Sequence, residues 1–165
     1  MLRGSRFKKK YPRGLRERAA ACCDLVRPIE DAPDVGVEEM LMDTTDLDPG
    51  ELQLFAAAAR IEGSVVATGD KRACRALAGA DLGHRRGLLG GKILCLESAL
   101  MALLGETSFE ALTRDLSPLR EFNRTLRVLL PQSERTSEQS FREGLQSYER
   151  DVREILAELC WSPER

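Results

Sequence analysis

Between Pro49 and Glu106 the hydrophobic pattern changes period repeatedly, and that alternation narrows the available folds sharply. The stretch "DLDPGELQLFAAAARIEG" opens a helix: Asp48 suits the N-cap, Pro49 the first helical position, and Glu51 the third, as in a capping box. Gly63 can end it. "SVVAT" is too short for a helix and is β-branched, which predicts a buried strand. The pattern after Asp70 predicts a helix over residues 71–79, and "LGHRRGLLGG" reads as a loop. "KILCL" then predicts a second buried strand, and "ESALMALLGE" turns at once into a further helix. Helix, strand, helix, strand, helix is the order of a small α/β unit whose strands run parallel and are covered on both faces.

The flanks differ from this centre. Residues 1–14 hold Gly4, Pro12 and Gly14 among many charges and read as a basic N-terminal arm. A helix is expected over residues 15–26, after which "RPIEDAPDVGVEE" breaks at Pro28 and Pro33. From Thr107 onward the pattern is helical. Thr107 and Glu110 resemble a capping box, and Ser117-Pro118 restarts a helix expected to run to Leu130. Beyond Pro131 a last long helix carries Phe141, Leu145, Tyr148, Val152, Ile155, Leu156 and Leu159 as one apolar stripe, either core or a homodimer face. The expected organisation is an arm (1–14), an α/β core (15–106) and a helical C-terminal extension packed on it (107–165).

A chain of 165 residues can bury one sizeable core, and a net charge of −2 selects no partner by itself. Its distribution says more, because a basic start is followed by an acidic stretch from Asp24 to Glu51. Five cysteines without C-x-x-C spacing argue against a disulfide framework and a zinc site, and favour a reducing, cytoplasmic setting. No apolar run approaches the length needed to span a membrane, so no membrane partner is expected.

Parallel strands that end at one sheet edge bring the residues after them together, and ligands bind at that edge. Asp70 follows the first strand and Glu97 the second, while Glu51 lies in the first turn of the helix that leads into the first strand. Three carboxylates brought close repel one another, and a hard divalent cation is the usual relief. Such an ion orients water and stabilises charge on phosphate. Each acid also has a plain structural reading: Glu51 completes a capping box, Asp70 caps the helix after it, and Glu97 is a first-turn acid favoured by the helix dipole.

"LDPGELQLFAAA" followed by "VVATGDKRACRALA" resembles the second half of PIN-domain proteins, over about residues 43–100. The resemblance implies an α/β/α fold and a Mg²⁺- or Mn²⁺-dependent ribonuclease, of the kind that often serves as the toxin of a toxin–antitoxin pair. It assigns Asp70 and Glu51 as catalytic, metal-holding acids, Glu97 as a further metal ligand with Asp81 competing, and Thr68 as the small hydroxyl residue before the aspartate. Lys71, Arg72, Arg85 and Arg86, with the arm, would attract RNA phosphates. One departure matters. No apolar strand ending in aspartate precedes Met42; Asp24 lies in a helix-like segment. This implies an internal start or a lost first strand, and a weakened metal site. Two expectations follow: a metal-dependent endoribonuclease, or an inactive PIN-like module that binds a protein (an antitoxin among them) or nucleic acid. "GLLGGKI" falls one residue short of a phosphate loop and has Ile93 where Ser or Thr is required, and His84 has no evident partner.

Overall fold

The computed structural model describes residues 12–30, 32–131 and 136–161. The chain divides into two compact units, residues 1–32 and 33–165. Most of the expected basic arm, residues 1–11, lies outside the described residues. What is described of the first unit is centred on helix α1 (Arg13–Leu25), which buries no side chain and carries an exposed Arg13–Glu17 pair at 2.6 Å. The compact α/β unit therefore begins at Pro33, beyond the residue 15 expected from sequence.

Local chemistry in the second unit starts with caps. Asp34 accepts from the Val37 amide at 2.9 Å and opens α2 (Val35–Met42), a helix that the flanking prolines hid in the sequence. Asp48 and Glu51 form a reciprocal capping box at 2.8 and 3.0 Å and open α3 (Pro49–Arg60), as expected. Strand β1 (Val66–Thr68) follows, and Asp70 caps α4 (Lys71–Gly79). The glycine-rich stretch expected as a loop forms a 3₁₀ helix over Gly83–Leu89. It leads into β2 (Ile93–Cys95) and directly into α5 (Leu96–Glu106).

The two strands are parallel, with Val66 opposite Ile93 and Thr68 opposite Cys95. On the other side of β2, Cys160 forms a parallel bridge with Ile93, and the Trp161 amide donates to the Ile93 carbonyl at 2.8 Å. The described C-terminal residues thus extend the sheet beside β2 and leave β1 at its edge. Coverage differs accordingly: Ile93 and Cys95 are buried, whereas Ala67 of β1 is exposed, so β1 is not covered on both faces as expected.

Beyond α5 the helices are α6 (Phe109–Leu116), α7 (Arg124–Leu129) and α8 (Glu138–Leu156). Two boundaries differ from the sequence reading. Ser108, not Thr107, caps α6, because Thr107 takes an extended backbone in ending α5. The helix expected from Ser117 to Leu130 is instead a 3₁₀ turn (Ser117–Leu119) and then α7, because Asn123 adopts an extended conformation and caps Leu126 at 3.1 Å. The stripe on α8 is core: Phe141, Leu145, Val152 and Leu156 are all buried. Gly144 lies on the same helix where a Cβ would run into the Leu129 side chain, so α7 and α8 approach closely there. The second unit is an α/β arrangement with a short parallel sheet and a helical region. Among the described residues no helix is long and apolar enough to cross a membrane.

Candidate functional site

Because β1 and β2 are parallel and in register, the residues that follow them emerge at one edge of the sheet. Thr68 Oγ1 accepts from the Asp70 amide at 3.1 Å and folds the Thr68-Gly69-Asp70 turn. Asp70 then spends its carboxylate on two tasks. Oδ1 accepts from the Arg72 and Ala73 amides at 2.8 and 3.4 Å, capping α4, while the Arg72 guanidinium reaches Oδ1 at 3.4 Å and Oδ2 at 3.1 Å. The Arg72 side chain, helped by the cap amides, holds the Asp70 carboxyl below its ordinary range. Arg72 is raised in turn by Asp70 above all, and by the fields of Asp46 and Glu51.

Glu97 lies on the first turn of α5 and is 2% exposed. A carboxylate that deep needs a partner, and it has two: Lys71 Nζ at 3.0 Å and the Thr125 hydroxyl at 3.4 Å. The same Lys71 ammonium stands 4.7 Å from the centroid of the Tyr148 ring, so three elements fix its position. Behind it, Ser98 donates to Glu149 at 2.5 Å and Arg153 bonds the same carboxylate at 3.0 and 3.1 Å.

A cleft of about 410 Å³ opens over this edge. Lys71, Arg72 and Arg75 from α4 and Arg124 from α7 line it, against the carboxylates of Asp70 and Asp151. Asn123, Thr125 and Tyr148 add polar groups to its wall. Four bases against Asp70, Asp151 and the Glu97 behind Lys71 leave the hollow with a small positive excess that attracts anions. Arg72 and Arg75 also face an adjoining cleft of about 670 Å³ that holds Asp43, Asp46 and Asp81.

The structure therefore brings Asp70, Glu97, Lys71 and Arg72 to one edge, beside Thr68. Glu51 reaches this group only through the field it exerts on Arg72; one of its oxygens is held by the Asp48 amide. Asp81 sits in an exposed turn, accepting from the Gly83 amide at 3.3 Å. Arg85 and Arg86, expected to meet phosphate, do not line the cleft. Arg85 pairs with Asp34 at 2.9 Å across the backbone of Gly36, and Arg86 pairs with Glu158 at 2.5 Å and donates to the Ala78 carbonyl at 3.1 Å. They tie elements of the fold together.

Sequence reading missed Arg124, because only the fold carries α7 to the sheet edge. Arg75 had a signal, standing one helical turn beyond Lys71.

A divalent ion needs several oxygens in fixed geometry, and Mg²⁺ in particular tolerates little distortion. Here Glu97 is neutralised by Lys71, Asp70 is shared between a helix cap and Arg72, and Glu51 turns back onto its own cap. Among the described residues no three Asp, Glu, His or Cys side chains are grouped so as to hold one ion. The donor set at this edge does not fit Mg²⁺ or Mn²⁺. No family model matches the chain, and no curated protein or solved structure matches it.

Proposed function

We propose that this chain is a PIN-like module that binds the backbone of single-stranded RNA in the sheet-edge cleft without cleaving it. One observation carries the reading. Lys71 and Arg72 are already engaged by Glu97 and Asp70, whereas Arg75 and Arg124 are exposed in the same cleft with no ion pair to any other described residue. Arginines without an ion-pair partner in a polar cleft are suited to phosphate, which the planar guanidinium grips through two hydrogen bonds. Asn123 and Thr125 offer neutral hydrogen bonds beside them, the kind that position a sugar-phosphate chain without reading its sequence.

The test is fluorescence anisotropy with a 5′-labelled oligouridylate. The wild type is expected to bind in a salt-dependent manner, and Arg75→Ala/Arg124→Ala to bind at least tenfold more weakly. Losing two phosphate contacts should also flatten the salt slope by about 1.4. Arg86→Ala, which removes a tether outside the cleft, should leave binding unchanged. Saturable binding that the double variant retains would sink the proposal.

A second reading, a Mg²⁺- or Mn²⁺-dependent ribonuclease, draws support from the placement of Asp70 and Glu97 after parallel strands at one edge. It is decided by incubating the same oligonucleotide with Mn²⁺ beside Asp70→Asn and Glu51→Gln variants. Cleavage by the wild type that both variants lose would establish it in place of the first.

A further inference from the structure

The two acids that follow the strands are each paired with a cation from α4, and that pairing bears on what the site needs from solution. Glu97, 2% exposed, has Lys71 Nζ at 3.0 Å; Lys71 is held from a second side by the Tyr148 ring. Asp70 has the Arg72 guanidinium on both oxygens, at 3.1 and 3.4 Å. For a divalent ion to bridge the same acids it would have to displace the Lys71 ammonium from its only carboxylate partner among the described residues and break the Arg72 fork. Such an ion would have to make good both displaced pairs and its own lost water from two carboxylates, one of which also caps a helix.

We infer that Lys71 and Arg72 replace a divalent ion at this edge, as side-chain cations covalently fixed to the helix that Asp70 caps, and so make the site a metal-independent anion site. Consecutive positions at the start of α4 send Lys71 inward to the buried acid and Arg72 outward to the half-buried one, so one turn of helix serves both carboxylates. With Glu97 and Asp70 satisfied by Lys71 and Arg72, the cleft charges left over are Arg75 and Arg124 against Asp151, a positive excess that suits an anion. The inference deepens the RNA-binding reading and rests on it for the ligand. Its metal arm stands independently.

The experiment is thermal unfolding of the full chain in MnCl₂ and in EDTA. The variants are Lys71→Met, Glu97→Gln and Lys71→Met/Glu97→Gln. The wild type should melt at the same temperature in both buffers. Lys71→Met should melt lower in EDTA and recover several degrees in Mn²⁺, because a ligand that binds only the folded state raises its melting temperature by about the logarithm of its excess over Kd. The double variant, with neither charge, should be indifferent to Mn²⁺. A wild-type rise in Mn²⁺ that Glu97→Gln abolishes overturns the inference, and so does a Lys71→Met protein that ignores the ion. Should Lys71→Met not fold, wild type and Glu97→Gln, which keeps the lysine, still decide it. Oligouridylate binding by the wild type should be equal in EDTA and Mg²⁺. Complete failure to bind, with the melting pattern intact, defeats the RNA-binding reading alone.

Discussion

The second unit has two hydrophobic clusters of different composition. The one around the strands mixes seven small side chains, Ala56, Ala58, Ala59, Ala73, Cys74, Cys95 and Cys160, with ten larger ones, among them Phe55, Leu77, Ile93 and Leu156. The other, between α5, α6, α7 and the start of α8, is leucine throughout apart from Phe141. Ala73 and Cys74 face this cluster from near the start of α4, and the parallel strands bring that start beside the start of α5, where the 3.0 Å ion pair forms. Leucines fill most of the helix-on-helix packing, where α7 and α8 come close only at Gly144. The strand cluster thus carries α4 with Lys71, Arg72 and Arg75, and the leucine cluster carries α7 with Arg124, so the cleft draws on both. Helix α8 joins the two, giving Phe141 and Leu145 to one and Val152 and Leu156 to the other.

The largest expected effects come from cutting that helix out of either cluster. Phe141 and Leu156 are both fully buried, so Phe141→Ala should cost about 3–5 kcal/mol and Leu156→Ala about 2–5 kcal/mol of unfolding free energy. Because one helix serves both clusters, calorimetry on each variant should still show a single transition at lower temperature. Two resolved transitions would mean that the clusters unfold separately.

An effect of middling size concerns the residue at which cleft and helix cap meet. Asp70→Ala should cost about 1 kcal/mol near neutral pH through loss of the α4 cap. The sign with pH follows from the direction of its shift. Arg72 and the cap amides hold the folded Asp70 below the ordinary 3.8, so the carboxylate's contribution is complete above that value and is lost as pH falls through the lower folded one. Melting temperatures of wild type and variant should therefore differ by a constant amount above pH 5 and converge in acid. A gap that widens on acidification would show that Asp70 does not carry the linkage.

The parts legible in the sequence were those written in local chemistry. The Asp48–Glu51 box, Asp70 before α4, the two short apolar runs and the stripe on α8 each declare themselves within a few residues. Helix α2 was hidden because Pro28 and Pro33 read as breaks, although Pro33 only precedes the Asp34 cap. The break before α7 was hidden because Asn123 competes as a cap inside a stretch that otherwise reads as helix. The site was half legible for the same reason. Asp70, Lys71, Arg72 and Glu97 sit where strand ends put them, but charge alone cannot tell a phosphate-seeking arginine from a tether. Arg85 and Arg86 found Asp34 and Glu158 across the fold, while Arg124 arrived at the cleft from a helix that no nearby motif announced.

The smallest effect asks for no change in stability at all. Cys74, Cys95 and Cys160 are buried and all belong to the strand cluster, and the leucine cluster has no thiol. Burial pushes the Cys74 thiol up to about 12 and raises Cys160, so at neutral pH neither presents a reactive thiolate. Cys22 and Cys23 on α1 are exposed. A maleimide at pH 7 should label these two in the folded protein and reach the other three only as the strand cluster opens, a readout confined to one half of the comparison. Titrated with denaturant, the three late labels should appear together with loss of helical circular dichroism if α8 makes the clusters one cooperative unit. If Phe141→Ala loses helix content while Cys74, Cys95 and Cys160 stay protected, the leucine cluster opens first and the sheet edge with its charge pairs stands without it.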